Sequence, residues 1–193
     1  VPEGLLFGST GAHVDLRKKL VEDFDLHAVI SLPAGVFKPY AGVKTSVLVF
    51  SKGSEGFQPS TTNPDRKVLF YEIKNDGYDP DKVSGGGRVE TPNENGIPAL
   101  LKTWIDYKSS NFKTPPGPEA NTLLEADVQE PSCWWASIEK IAESDFNLSA
   151  GAYRPSQASA AANEDPNELI TDLLELETGI VSGLERLREA LSK

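Results

Sequence analysis

The chain has 193 residues, of which 38% are hydrophobic and 25% charged. That is room for one medium domain or one and a half small ones, and it excludes collagen-like, low-complexity and disulfide-scaffold classes. No apolar run approaches the ~18 residues of a transmembrane helix, and no basic-then-apolar leader opens the chain. The single cysteine, Cys133, has no partner within the chain, and a reducing cytoplasmic location is the expectation. The net charge is −10. Residues 1–52 carry six Lys/Arg against five acids, whereas the rest carries 13 against 24. A chain so acidic is not expected to grip nucleic acid unaided, since such binding draws on Lys and Arg neutralising phosphates. There is no methionine, and position 1 is Val. The expectation is therefore a piece of a longer protein.

In chain order, Val1-Pro2 reads as the tail of a strand, with Gly4 and Gly8 punctuating a loop. Leu16, Leu20 and Phe24 recur at i, i+4, i+8 and predict one apolar face of a helix over 12–24. The run 27–32 is short, apolar and stopped by Pro33, and reads as a buried strand. The run 46–50 is rich in β-branched residues and predicts another. Residues 33–45 between them are too few for a crossover helix, so the two strands should be antiparallel neighbours. Residues 53–67 are polar and turn-rich. A third strand is predicted over 68–73, and 77–94 reads as loop, with Gly85-Gly86-Gly87 at its centre.

Pro98 suits the first turn of a helix reaching about Ser109, with Leu101, Trp104, Ile105 and Lys108 at helical spacing. Three prolines break structure over 113–121. Ser137 is an expected N-cap for a helix over 138–144. Residues 158–163 read as a small-residue linker. Asp165, Pro166 and Glu168 then form a helix start signal. Leu169, Leu173, Leu176, Ile180, Leu184, Leu187 and Leu191 follow as one stripe on an otherwise acidic helix, with Gly179 and Gly183 inside it.

Most chemical signals are weak. Gly42-Val43-Lys44-Thr45-Ser46 resembles a phosphate loop but lacks Gly before the Lys and runs into a strand. His13 and His27 have no metal-ligand spacing around them, so no metal is expected, and His27 reads as structural. Cys133 beside Trp134-Trp135 reads as packing.

The segment Leu32-Pro33-Ala34-Gly35-Val36-Phe37, followed by Lys44-Thr45-Ser46-Val47-Leu48-Val49-Phe50, is more specific. It resembles the region just after the catalytic motif in amino-group DNA methyltransferases, above all the modification subunit of type I restriction-modification systems. Residues 1–8, Arg17-Lys18-Lys19-Leu20, Phe70-Tyr71-Glu72 through Tyr78, Ile97-Pro98, Trp134-Trp135 and Asp145-Phe146-Asn147-Leu148-Ser149 with Tyr153 continue the resemblance in order. It implies an α/β fold: the C-terminal part of a Rossmann-like S-adenosylmethionine-dependent sheet with a helical C-terminal extension. The implied division is 1–75 for the sheet, 76–157 for a mixed extension and 164–193 for a docking helix.

The same resemblance implies that the intact protein methylates the N6 amino group of adenine in DNA. It implies S-adenosylmethionine as donor, and a specificity subunit and a restriction subunit as partners. The donor-binding glycine turn and the Asn-Pro-Pro-aromatic motif are not in this sequence, so the piece alone is expected to be inactive. Phe37 matches the aromatic that stacks on the flipped adenine in related enzymes, with Lys38 and Lys44 near enough in sequence to meet DNA phosphates. The competing reading is that Phe37 fills the core or caps the sheet. Leu173, Leu176, Ile180, Leu184 and Leu187 are the expected contacts to the specificity subunit. The family's sheet places the strand at 45–50 between its fifth strand and the strand at 27–32. An uncovered edge there invites self-association. The rival class is a non-catalytic assembly module on an α/β scaffold.

Overall fold

The computed structural model describes residues 1–52, 66–84, 87–124 and 130–157, together with 174, 177 and 180. Two short helices, α1 (Glu3–Phe7) and α2 (Gly11–Glu22), precede strand β1 (Phe24–Ser31). Then come β2 (Ser46–Lys52), β3 (Lys67–Glu72), β4 (Asp76–Ser84), β5 (Gly87–Asn95) and helix α3 (Ile97–Ser109). The tail holds β6 (Leu123–Leu124), β7 (Cys133–Ser137), helix α4 (Ile138–Glu143), a 3₁₀ turn Ala150–Tyr153 and β8 (Ser156–Gln157).

The main sheet has the order β2-β1-β3-β7. β1 is antiparallel to β2, as the short 33–45 connection requires, and parallel to β3. β7 closes the far side antiparallel to β3, so residues 133–137 join the same sheet as β1, β2 and β3. β1 bulges between Leu26 and Ala28. The extra residue shifts the pleat, so Leu26 and Val29, three apart, both enter one core.

That core gathers Leu6 of α1, Val21 of α2, Val68 and Phe70 of β3, Trp134 of β7, Ile141 of α4 and Tyr153. On the opposite face Ala28 and Leu69 meet Tyr107, Trp104 and Phe112, while Ile30 and Tyr71 meet Leu100. Helical segments thus cover both faces, the arrangement expected of a sheet with parallel strands. The Tyr107 hydroxyl donates to the Lys67 carbonyl at 3.2 Å, and burial pushes its pKa up to about 12.

Several sequence expectations need correction. Gly4 belongs to the helix α1 and not to a loop. The buried face of α2 is Arg17, Leu20 and Val21, with Leu16 exposed and Phe24 already in β1. α3 packs through Leu100, Trp104 and Tyr107, leaving Leu101 and Ile105 exposed. Residues 77–94 are not loop: most of them form the β4–β5 hairpin. The Ser137 cap is as expected, its side chain accepting from the Lys140 N–H at 3.3 Å.

Of the terminal helix, Leu174, Glu177 and Ile180 are described, and all three are helical. The docking candidates Leu173, Leu176, Leu184 and Leu187 lie outside the described residues, as do the linker at 158–163 and the central Gly85-Gly86. No helix among the described residues is long and apolar enough to cross a membrane.

Candidate functional site

In sheets with parallel strands, ligands collect beyond the carboxyl ends of those strands. Here that end is built from the loop 33–45 leaving β1 and the β4–β5 hairpin that follows β3. The chain turns at Gly35, whose φ of +79° favours glycine. It then coils back, with the N–H groups of Tyr40 and Ala41 both donating to the Phe37 carbonyl at 2.9 and 3.0 Å. Phe37 sits on this coil half-exposed, at 50%. Its ring therefore neither fills the core nor points wholly into solvent.

Tyr40, three residues on, is 94% exposed. Sequence reasoning passed over it. The available signal was an aromatic one helical turn beyond Phe37 in a loop with no apolar periodicity to explain it.

The hairpin is tied to this loop. Asp76 and Arg88 form a forked ion pair, Nη2 donating to Oδ1 at 2.8 Å and Nη1 to Oδ2, with both side chains under 9% exposed. Burial pushes the Asp76 carboxyl up, but the hydrogen bonds and charge of Arg88 outweigh it and hold the group below the usual carboxylate range. Arg88 Nη1 also reaches the Val36 carbonyl at 3.4 Å. Its guanidinium lies over the Tyr78 ring, 5.2 Å from the centroid. Lys38 Nζ meets Asp81 Oδ1 at 3.5 Å.

The structure does not bring the two lysines together in one role. Lys38 faces the hairpin. Lys44, two residues before β2, sits between Glu3 at 3.4 Å and Glu72 at 3.5 Å, and Glu72 also pairs with Arg154. A phosphate approaching Lys44 competes with two carboxylates already in place. A shallow pocket of ≈ 170 Å³ lies beyond β3, lined by Tyr71, Ile73, Asn75, Glu94 and Ser132 among others. It is smaller than the roughly 300–1,000 Å³ of ligand sites.

A methyl donor of the S-adenosylmethionine type needs a parallel strand that runs through a glycine-rich turn into a helix N-terminus. The described residues do not fit it. β1 exits into Pro33, and β3 into the hairpin. β5 passes through Gly96 into α3, but there the Asn95 side chain already accepts the Ile97 N–H at 2.9 Å. No step through the donor is derived for this segment.

The edge of the sheet is the other feature of note. Among the described residues, the outer side of β2 is paired only at its start. Val1 and Ser46 exchange N–H···O bonds of 2.8 and 2.9 Å, and Pro2 bridges Thr45. The Val1-Pro2 strand tail expected from sequence thus flanks β2 opposite β1. Beyond Ser46, no strand covers that edge among the described residues, and Val47 and Phe50 are 45% and 46% exposed.

The N-6 DNA methylase family pattern matches residues 1–162. The type I restriction enzyme EcoEI methylase subunit of Escherichia coli is 29% identical over 191 residues, 99% of this chain and 33% of that protein. The EcoKI methylase subunit of Escherichia coli K12 is 37% identical over 75 residues, 38% of this chain and 14% of that protein.

Among solved structures, one describing complex assembly and conformational transition of the type I restriction-modification system matches with a TM-score of 0.52 and 28% identity. It covers all of this chain and 34% of that one. The crystal structure of the EcoKI M protein matches with a TM-score of 0.50 at 19% identity, over all of this chain and 40% of that one, a likeness of fold. The chain spans about a third of the length of the EcoEI methylase subunit.

Proposed function

We propose, for a chain that belongs to the N-6 DNA methylase family, that it is the part of a type I modification subunit that receives the flipped adenine. The intact protein transfers a methyl group from S-adenosylmethionine to the adenine N6 amino group. It works with a specificity subunit that reads the DNA and a restriction subunit that cuts it. The order of the sequence blocks supports a position after the donor-binding and catalytic motifs. The piece by itself, holding neither motif, is inactive in this reading.

The observation that carries the proposal is the half-exposed Phe37 on a coil at the carboxyl end of β1. An enzyme that modifies a base must extract it from the duplex and hold it, and an aromatic face contributes about 1–3 kcal/mol per stacked base. Phe37 has such a face available without unfolding anything. Tyr40 lies on the same coil, more exposed still. Lys38, 3.5 Å from the exposed Asp81, is the lysine placed to meet a backbone phosphate beside that base. Lys44 keeps a structural share through Glu3 and Glu72.

The test is Phe37→Ala in the full-length subunit. Binding to a target duplex with the adenine opposite an abasic site should weaken about tenfold or more, in line with loss of one stacking contact. Unaltered binding and turnover would assign Phe37 to packing.

A further inference from the structure

Phe37 lies between two tethers that both come from the hairpin. On one side the Val36 carbonyl accepts from Arg88 Nη1 at 3.4 Å. On the other Lys38 Nζ meets Asp81 Oδ1 at 3.5 Å. The tethers are unequal. Asp81 is 88% exposed, and a pair so open to water holds little. The Arg88 side chain is 7% exposed and forked onto the equally buried side chain of Asp76 at the root of the hairpin. Its Nη2 also donates to the Tyr78 carbonyl at 3.2 Å. A buried planar fork held by that many partners has one orientation.

We propose that Arg88 is a positioning residue for Phe37. It anchors the loop 33–45 to the β4–β5 hairpin through the Val36 carbonyl, so that the stacking face stands in place before the base arrives. The inference rests on the reading of Phe37 given above. A loop free to sample other conformations would lose that freedom only on binding, at an entropic cost to affinity. No side chain of residues 33–45 belongs to the buried core clusters. The ends of the loop are pinned by the Leu32 N–H bond to the Thr45 carbonyl at 3.0 Å and by Lys44, which leaves its middle, where Phe37 sits, to the hairpin. The hairpin, itself poor in apolar residues, has a reason to exist as the part that holds this loop.

The experiment is a double-mutant cycle in the full-length subunit assembled with its DNA-reading partner. Arg88→Lys keeps a cation beside Asp76. A single ammonium cannot span both carboxylate oxygens and still reach Val36. The probe is the target duplex with its adenine opposite an abasic site. Arg88→Lys and Phe37→Ala should each weaken binding about tenfold, and the double variant should bind no worse than Phe37→Ala alone. Affinity for S-adenosylmethionine should be unchanged in all three. A merely structural role for Arg88 would not disappear when Phe37 is removed.

If Phe37→Ala binds as tightly as the parent, the reading of Phe37 falls and this inference with it. If Phe37→Ala weakens binding but Arg88→Lys does not, only the inference is overturned. Additive losses overturn it too, since Arg88 would then act elsewhere. Arg88→Met combined with Asp76→Asn removes the tether without leaving a buried carboxylate unpaired, and it must give the same non-additive pattern.

Discussion

Arg17 Nε donates to the Phe146 carbonyl at 2.9 Å, across 129 positions of sequence. The same guanidinium takes the carbonyls of Leu5 and Gly8 through Nη1 at 2.9 and 2.8 Å, and that of Asp145 through Nη2 at 3.4 Å. Arg17 is 2% exposed, and the hydrogen-bond partners of its side chain are main-chain carbonyls. One buried cation thus joins the exit of α1 to the 145–148 turn, where the Leu148 N–H also donates to the Leu6 carbonyl at 2.8 Å. Asp145 and Phe146 both hold positive φ, 54° each. That conformation turns their carbonyls out of any helical ladder and leaves them in need of a donor.

Replacing Arg17 should therefore destabilise more than an average surface change. Arg17→Met keeps the aliphatic stem but strands several buried carbonyls. Hydrogen bonds to charged groups contribute about 1.5–3 kcal/mol each, so a loss of about 3 kcal/mol or more is expected. Arg17→Lys should recover only part, because one ammonium cannot reach both ends of the fork. Urea unfolding of the two variants measures the difference. A loss below about 1 kcal/mol for Arg17→Met would mean that water replaces the guanidinium.

His27 makes stability depend on pH. Its ring stacks on Phe112 with centroids 3.8 Å apart, and Nε2 shares a 2.9 Å hydrogen bond with Ser51 Oγ. Burial lowers its pKa. Asp25, 3.9 Å from Nδ1, works in the opposite direction, and Arg66 adds to the lowering. The folded state thus prefers the neutral ring. The stabilisation is fully present above the ordinary imidazole value of 6.5. It is lost as pH falls from there through the depressed folded value, because the unfolded chain then binds the extra proton. The unfolding midpoint should decline over that window in the parent. In His27→Gln, less stable at neutral pH, the decline over the same window should be smaller. Parallel curves for both would mean that other groups set the pH dependence.

What was legible in the sequence follows from where burial is continuous. β1, β2 and β3 announce themselves as apolar, β-branched runs bounded by Pro, Gly and charge, and the short 33–45 link dictates that β1 and β2 run antiparallel. The hairpin β4–β5 was illegible because nothing apolar alternates in it. Gly77, Asp79, Asp81, Glu90 and Asn93 are turn and surface types, and its buried contact, Arg88 meeting Asp76, is between polar residues that periodicity does not register. The faces of α2 and α3 were misread for a related reason. Arg17 is buried by hydrogen bonding and Tyr107 by an aromatic cluster with Trp104 and Phe112, whereas Leu16, Leu101 and Ile105 remain in water. Phe37 was singled out from its motif; Arg88 and Tyr40 were not, since their closeness to the 33–45 loop exists only once loop and hairpin are folded.

The β2 edge predicts association. Val47 and Phe50 are about half exposed beside main-chain groups that no strand covers beyond Ser46 among the described residues. An edge of that kind templates pairing with another chain. This chain by itself should self-associate in light scattering at micromolar concentration. Val47→Lys combined with Phe50→Lys should return it to monomer, because charge on an edge strand opposes pairing. A monomeric parent would show that other segments cover the edge.

The terminal helix supplies the last prediction. Ile180 belongs to the leucine stripe, yet it is helical and 60% exposed. At that point of the stripe the chain does not bury its own apolar side chain. If the stripe docks into a partner groove, Leu173, Leu176, Ile180, Leu184 and Leu187 are its expected anchors. In the full-length subunit, removing 165–193 should abolish co-purification with the specificity subunit. Ile180→Asp, which leaves the helix in place, should weaken it by about tenfold or more, the cost of burying an unpaired carboxylate in an apolar seam. Glu177→Ala, on an exposed position of the same helix, should change little. If the deletion leaves the complex intact, the stripe packs against its own subunit and the specificity subunit docks elsewhere.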